Sequence, residues 1–130
     1  MKRNLVILAC AISAGIHGAL VPAHFAEGAG PGVGFVVATA LLAAIAIAVT
    51  LRPASELAVV GAALVLAGLL AGYVLATTTG LPVLHPEPEP VDGLALATKA
   101  IEAAGLLAAA SLVWRPWVAA RHLRPKGTLT

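Results

Sequence analysis

The sequence predicts an all-α integral membrane protein, a bundle of four transmembrane helices with both termini in the cytoplasm. Three observations carry this. Hydrophobic residues make up 60% of the 130-residue chain and charged residues 11%, against roughly 45–50% and 25% in soluble domains. A chain this short has no core large enough to hide that much apolar surface. Four apolar runs, residues 5–21, 33–51, 57–77 and 94–114, each approach the ~20 residues that carry a helix across ~30 Å of hydrocarbon. Lysine and arginine cluster at alternate ends of those runs. The length fits one membrane domain spanning residues 1–130.

The first run follows Lys2 and Arg3 and ends near Pro22. A charged start, an apolar stretch and Val21-Pro22-Ala23 share features with a secretory leader. The run exceeds the usual 7–15 residues of a leader's apolar region, so retention as a membrane helix is expected. Cleavage after Ala23 would instead expose His24 as a new amino terminus, whose amine and imidazole together suit copper. Ile7-Leu8-Ala9-Cys10 resembles a lipobox but comes too early to leave an apolar core before the cysteine.

Residues 22–32 are expected to be an outer loop. The second run carries no charge and stops at Arg52-Pro53. Ser55 is placed to cap the third, and the short turn between them makes an antiparallel hairpin. Within the third run, Gly68 and Gly72 form a G-x-x-x-G, a spacing that permits close helix contact. Residues 78–93 form the longest connection, and Pro82, Pro86, Pro88 and Pro90 favour an extended polyproline-like path there. The fourth run contains Lys99 and Glu102 and ends at Trp114, with Trp117 close behind as a second interfacial anchor. Residues 115–130 then form a cytoplasmic tail. Backbone groups in lipid must pair internally, so the runs are helices; the strict alternation of a barrel strand is absent.

The basic residues set the expected orientation. Lys2, Arg3, Arg52, Arg115, Arg121, Arg124 and Lys126 all lie at places that four spans bring to one side, and the positive-inside rule makes that side cytoplasmic. The other connections contain no lysine or arginine. They hold His24, Glu27, His85, Glu87, Glu89 and Asp92.

Three ionisable residues fall within the spans: His17, Lys99 and Glu102. Such groups are costly in hydrocarbon, about 2.5–3.5 kcal/mol for Lys or Asp at a helix centre, so they should face the bundle and be paired. At 1.5 Å per residue His17 and Glu102 sit at similar depths, ~10–12 Å below the outer loops. They meet if the first and fourth helices are neighbours. Lys99 and Glu102 are three apart and form a natural charge pair.

His17, His24, Glu27 and Glu102 are therefore candidate metal ligands, with His85, Glu87, Glu89 and Asp92 as loop ligands able to close over them. Imidazole and carboxylate together suit a divalent transition metal such as zinc, copper or iron. The competing expectation is structural: His17 bonds a neighbouring helix, Lys99 neutralises Glu102, and the loop acids are simply solvated. Haem is not expected, because two histidines stacked on one helix cannot grip opposite faces of a macrocycle. The single cysteine, Cys10, excludes an internal disulfide. No basic stripe interleaved with aromatics suggests nucleic acid. There is no nucleophile–base pair or nucleotide motif, so no catalytic residue is assigned and an enzyme is not expected.

Gly15-Ile16-His17 with Leu20, then His24 and Glu27, then Gly34-Phe35, resembles the start of a group of small uncharacterised bacterial four-helix membrane proteins. Gly80-Leu81-Pro82 and Glu89-Pro90-Val91-Asp92 resemble their outer loop, and Glu102 matches a glutamate of their fourth helix. The resemblance covers roughly residues 15–105. It implies a bacterial membrane protein in which His17, His24, Glu27, Gly80-Leu81-Pro82, Asp92 and Glu102 belong to one pattern. It brings no activity. The chain departs from it at Thr77, where the group carries an arginine; Lys99 is the candidate substitute.

The leading expectation is a membrane protein that binds a metal ion or small polar ligand in an outward-facing His/Glu pocket. The alternatives are an accessory subunit of a larger membrane complex, and proton-coupled transport by His17, Glu102 and Lys99. Transport through only four helices would require a homodimer.

Overall fold

The chain folds into four helices: α1 (Lys2–Glu27), α2 (Ala29–Leu51), α3 (Glu56–Thr78) and α4 (Gly93–His122). The computed structural model describes residues 1–82 and 86–122, with those from 115 to 122 as backbone only. All four helices are long and apolar enough to cross a membrane. At most 33% of each span's most apolar window is buried inside the bundle. The rest presents side chains such as Leu8, Val37, Leu64 and Leu107 outward. In water that surface would be ruinous; in hydrocarbon it is simply solvated.

The largest departure from the expected boundaries is at residues 22–32, which are helical except at Gly28. Helix α1 runs through Pro22 and closes with the Gly28 N–H donating to the His24 carbonyl. Proline removes one donor from the ladder, but the Ala, Phe and Glu that follow are compatible with helix and rebuild it. Gly28 is extended, and α2 begins at once with Pro31 in its first turn. That proline's missing N–H would have been unpaired there anyway. Gly32 lies directly against the Phe25 ring with no room for a side chain between them, so the α1–α2 hairpin is tight. Helix α4 likewise continues past the expected end of the span, to His122.

The other two connections are capped by side chains. Ser55 Oγ accepts from the Ala58 N–H at 3.2 Å, the expected cap of α3. Asp92 Oδ1 accepts from the Ala95 N–H at 2.7 Å at the start of α4. The Pro-rich loop does not simply extend into solvent. Its Glu89 N–H donates to the Ala76 carbonyl at 2.9 Å. Gly80, at φ 71°, lies against the Pro86 carbonyl, where a Cβ would collide with backbone. Only glycine combines that left-handed turn with so close an approach.

One apolar cluster contains Val6 and Cys10 from α1, Val49 from α2, Val59 and Leu66 from α3, and Ala109 from α4. The start of α1, the α2–α3 turn and the C-terminal half of α4 therefore share one end of the bundle. The Gly28 turn and the 79–92 loop occupy the other. Helix α1 packs most extensively on α2, and α4 packs on both α1 and α3. Much of the core is alanine, and small residues let backbones approach where lipid supplies no hydrophobic drive to bring helices together. Helices α1 and α4 approach closely at Gly105: a Cβ there would stand 2.5 Å from the Ala9 Cβ of α1.

Candidate functional site

Above that dense half, the bundle holds a buried polar cluster and then a cavity. On α1, Ser13 and His17 are one turn apart and share a face; both are buried. On α4, Lys99 and Glu102 stand at i and i+3. The Gly105–Ala9 contact brings these two faces together, since Glu102 lies three residues before Gly105 and Ser13 four after Ala9. Glu102 is completely buried. Its Oε1 accepts from the Ser13 hydroxyl at 2.6 Å and its Oε2 from Lys99 Nζ at 2.6 Å. A carboxylate stranded in hydrocarbon would be severely penalised; here both oxygens have charge-assisted partners. Lys99 Nζ also lies 5.6 Å from the centroid of the Tyr73 ring on α3, within cation–π range.

The two histidines of α1 are held alike. His17 Nδ1 is 2.9 Å from the Ser13 carbonyl, and His24 Nδ1 is 3.0 Å from the Leu20 carbonyl. A carbonyl only accepts, so these bonds assign the hydrogen to Nδ1 in both rings. In a neutral imidazole that leaves Nε2 as the acceptor. His17 Nε2 lies 4.0 Å from Glu102 Oε1, beyond hydrogen-bond reach. Phe35 of α2 touches both rings, stacked on His24 at 3.5 Å between centroids and tilted against His17 at 5.2 Å.

These groups border a cavity of about 540 Å³ at the loop end of the bundle. All four helices and the 79–92 loop contribute to it. Of the expected site residues, His17, His24, Glu27, Glu89, Asp92 and Lys99 line it. Glu102 does not reach the lining and sits behind Ser13 and Lys99. Glu87 is exposed and outside the lining. His85 lies outside the described residues.

The expected metal quartet of His17, His24, Glu27 and Glu102 is not assembled. Among the described residues no three His, Cys, Asp or Glu side chains form a group able to hold a metal ion. Metal ligation requires donors that converge to about 2.0–2.2 Å from one point. Here Phe35 packs against both imidazoles, and Glu102 is turned to Ser13 and Lys99. Asp92, expected as a loop ligand, has one oxygen committed to capping α4.

The expected meeting of His17 with Glu102 and the Lys99–Glu102 charge pair are both present. Ser13, Tyr73, Gly68, Gly72 and Gly105 were not singled out by sequence as site residues. Ser13 had a legible signal, a small hydroxyl four residues before an intramembrane histidine. Gly68 and Gly72 were read as a helix-contact motif, yet a Cβ at either position would meet nothing within 4 Å, and both line the cavity. Their missing side chains leave space on the α3 side of the cavity. Tyr73, also in the lining, carries a buried hydroxyl with no hydrogen-bond partner among the described residues. Comparison with protein-family models, with curated proteins and with solved structures finds no match.

Proposed function

We propose that this chain is a multi-pass membrane protein that binds a small polar organic ligand in the cavity at the loop end of its bundle. That end faces away from the cytoplasm and both termini lie inside, as the basic residues at the opposite end favour. The resemblance to bacterial four-helix proteins points to the bacterial inner membrane. Its residues support the same place: His17, His24, Glu27 and Asp92 all border one space.

One observation carries the binding function. The cavity, at about 540 Å³, has the size of small-molecule sites and combines apolar walls with fixed, unused hydrogen-bonding atoms. Buried polar groups are normally satisfied. Here the rings of His17 and His24 border the cavity with Nδ1 already bonded to a backbone carbonyl, which leaves Nε2 of each as an acceptor. The polar atoms are distributed around the cavity and not focused on a point, which favours a molecule over an ion.

The test is a thermal-stability screen of small polar compounds against the full chain purified in mild detergent. Compounds that stabilise the protein should lose their effect in Gly72→Leu, which fills the cavity, and weaken in His24→Ala. If no compound stabilises it, or the stabilisation survives both substitutions, the assignment is wrong. Elemental analysis of the same preparation provides a second check. A stoichiometric metal that disappears in His24→Ala would replace the organic ligand with an ion.

A further inference from the structure

The cavity's hydrogen-bonding polarity and charge narrow the class of ligand. On the assumption that the cavity is a ligand site, we infer that it takes a small organic amine. The protonated nitrogen faces the imidazole and carboxylate groups, and the apolar body lies against Phe35 and Leu69.

The first support is the set of tautomers. Both α1 histidines commit their Nδ1 hydrogens to backbone carbonyls one turn below. The ring edges left for a ligand therefore accept hydrogen bonds. His17 is the stronger case. Its side chain is only 8% exposed, and it borders the cavity. Glu102 Oε1, 4.0 Å from Nε2, lies behind the lining and already accepts from Ser13, so the acceptor offered to a ligand here is the imidazole.

The second support is charge. Glu27, Glu89 and Asp92 line the cavity with no lysine or arginine beside them except Lys99. The Lys99 charge is already answered by Glu102 at 2.6 Å. What remains facing the cavity is negative. An incoming carboxylate would meet repulsion at the mouth and find the one cation engaged; an ammonium meets neither obstacle. The third support is the lining between the polar groups, where Leu20, Phe35, Leu69 and Leu94 offer an apolar wall. That wall suits an amine with a hydrocarbon or aromatic body better than a polyol. The same chemistry is available from a free amine and from the headgroup of an aminophospholipid.

Three probes of one shape separate the possibilities: phenethylamine, 2-phenylethanol and phenylacetate, measured by equilibrium binding to the full chain in detergent at neutral pH. Phenethylamine should bind at least about tenfold more tightly than the alcohol, with phenylacetate weakest. The double variant Glu27→Gln with Glu89→Gln should weaken the amine about tenfold and leave the alcohol nearly unchanged. Its helical content serves as the folding control. Equal or tighter binding of the alcohol or phenylacetate overturns the amine while leaving a ligand-binding cavity intact. Absence of phenethylamine binding overturns the amine as well. Amine binding that persists in Gly72→Leu overturns the cavity as its location and with it the proposed function. Repeating the titration in phosphatidylcholine nanodiscs with and without phosphatidylethanolamine identifies the source. Competition by the aminophospholipid supports a headgroup, and unchanged affinity supports a free amine.

Discussion

Glu102 is the residue on which the polar interior depends. It is fully buried and serves two partners from two directions, Ser13 on α1 and Lys99 on its own helix. Removing one member of a buried pair strands the other, and that typically costs about 3–5 kcal/mol. Glu102→Ala should therefore lower stability by that order in reversible unfolding in mixed micelles. The double variant Glu102→Gln with Lys99→Met should recover part of the loss, because no charge is left stranded. Ser13→Ala removes a single charge-assisted hydrogen bond and should cost about 1.5–3 kcal/mol. If Glu102→Ala proves neutral in such unfolding, the ion pair is not what ties α4 to α1. At this scale the chemistry of His17, Lys99 and Glu102 was legible because ionisable residues in an apolar run have to be explained. Tyr73 was not, and Ser13 only by its spacing from His17, since hydroxyls are common in membrane helices and their neighbours give them meaning.

Helix boundaries and contacts were read less well than helix existence. Hydropathy located all four helices, but it marks where polar residues begin, which is a different matter from where backbone hydrogen bonds end. The apolar run ends near Pro22, and His24 and Glu27 are expected in the outer loop, yet α1 continues through both. The contact between α1 and α4 depends on Gly105, a residue that carries no polar signal at all. Gly105→Ala should force the helices apart at Ala9 and weaken the Ser13–Glu102 bond one turn above, at a cost of about 1–3 kcal/mol for overpacking. Ala9→Gly in the same chain should restore most of that loss, a non-additivity that a double-mutant cycle of unfolding free energies would measure. Equal and additive losses from the two substitutions would show that the close approach is not shared. The cap at Ser55 is a smaller, independent element effect. Ser55→Ala should cost about 1 kcal/mol and leave the loop-end cavity untouched.

For the whole molecule, the division into a dense end and a hollow end organises everything else. The dense end contains Val6, Val49, Val59 and Ala109; the hollow end contains the cavity and the Pro-rich loop. The proposed orientation makes a direct prediction. In intact cells a membrane-impermeant maleimide should label Val91→Cys in the loop and fail to label Ala54→Cys in the α2–α3 turn, with the opposite result in inverted vesicles. The native Cys10 is completely buried, so the background should be low. Labelling of Ala54→Cys in intact cells would invert the topology and turn the cavity toward the cytoplasm.

What the sequence determined by itself is the membrane-spanning class and the identity of the polar residues that need partners. Both follow from composition along the chain: apolar length sets whether a helix can cross hydrocarbon, and an ionisable group in such a run is conspicuous. Tertiary structure alone decided which of those residues share a space and in what state. His17, His24 and Glu27 border one cavity, and among the described residues no three metal-ligating side chains converge. Glu102 retreated behind Ser13 and Lys99. Gly68 and Gly72 border the cavity and make no close helix contact within the chain. The reason is geometric. A spacing of three or four residues places side chains on one face, but the neighbouring helix and its depth of approach, here set by Gly105 against Ala9 and by Phe35 against two imidazoles, determine what that face meets.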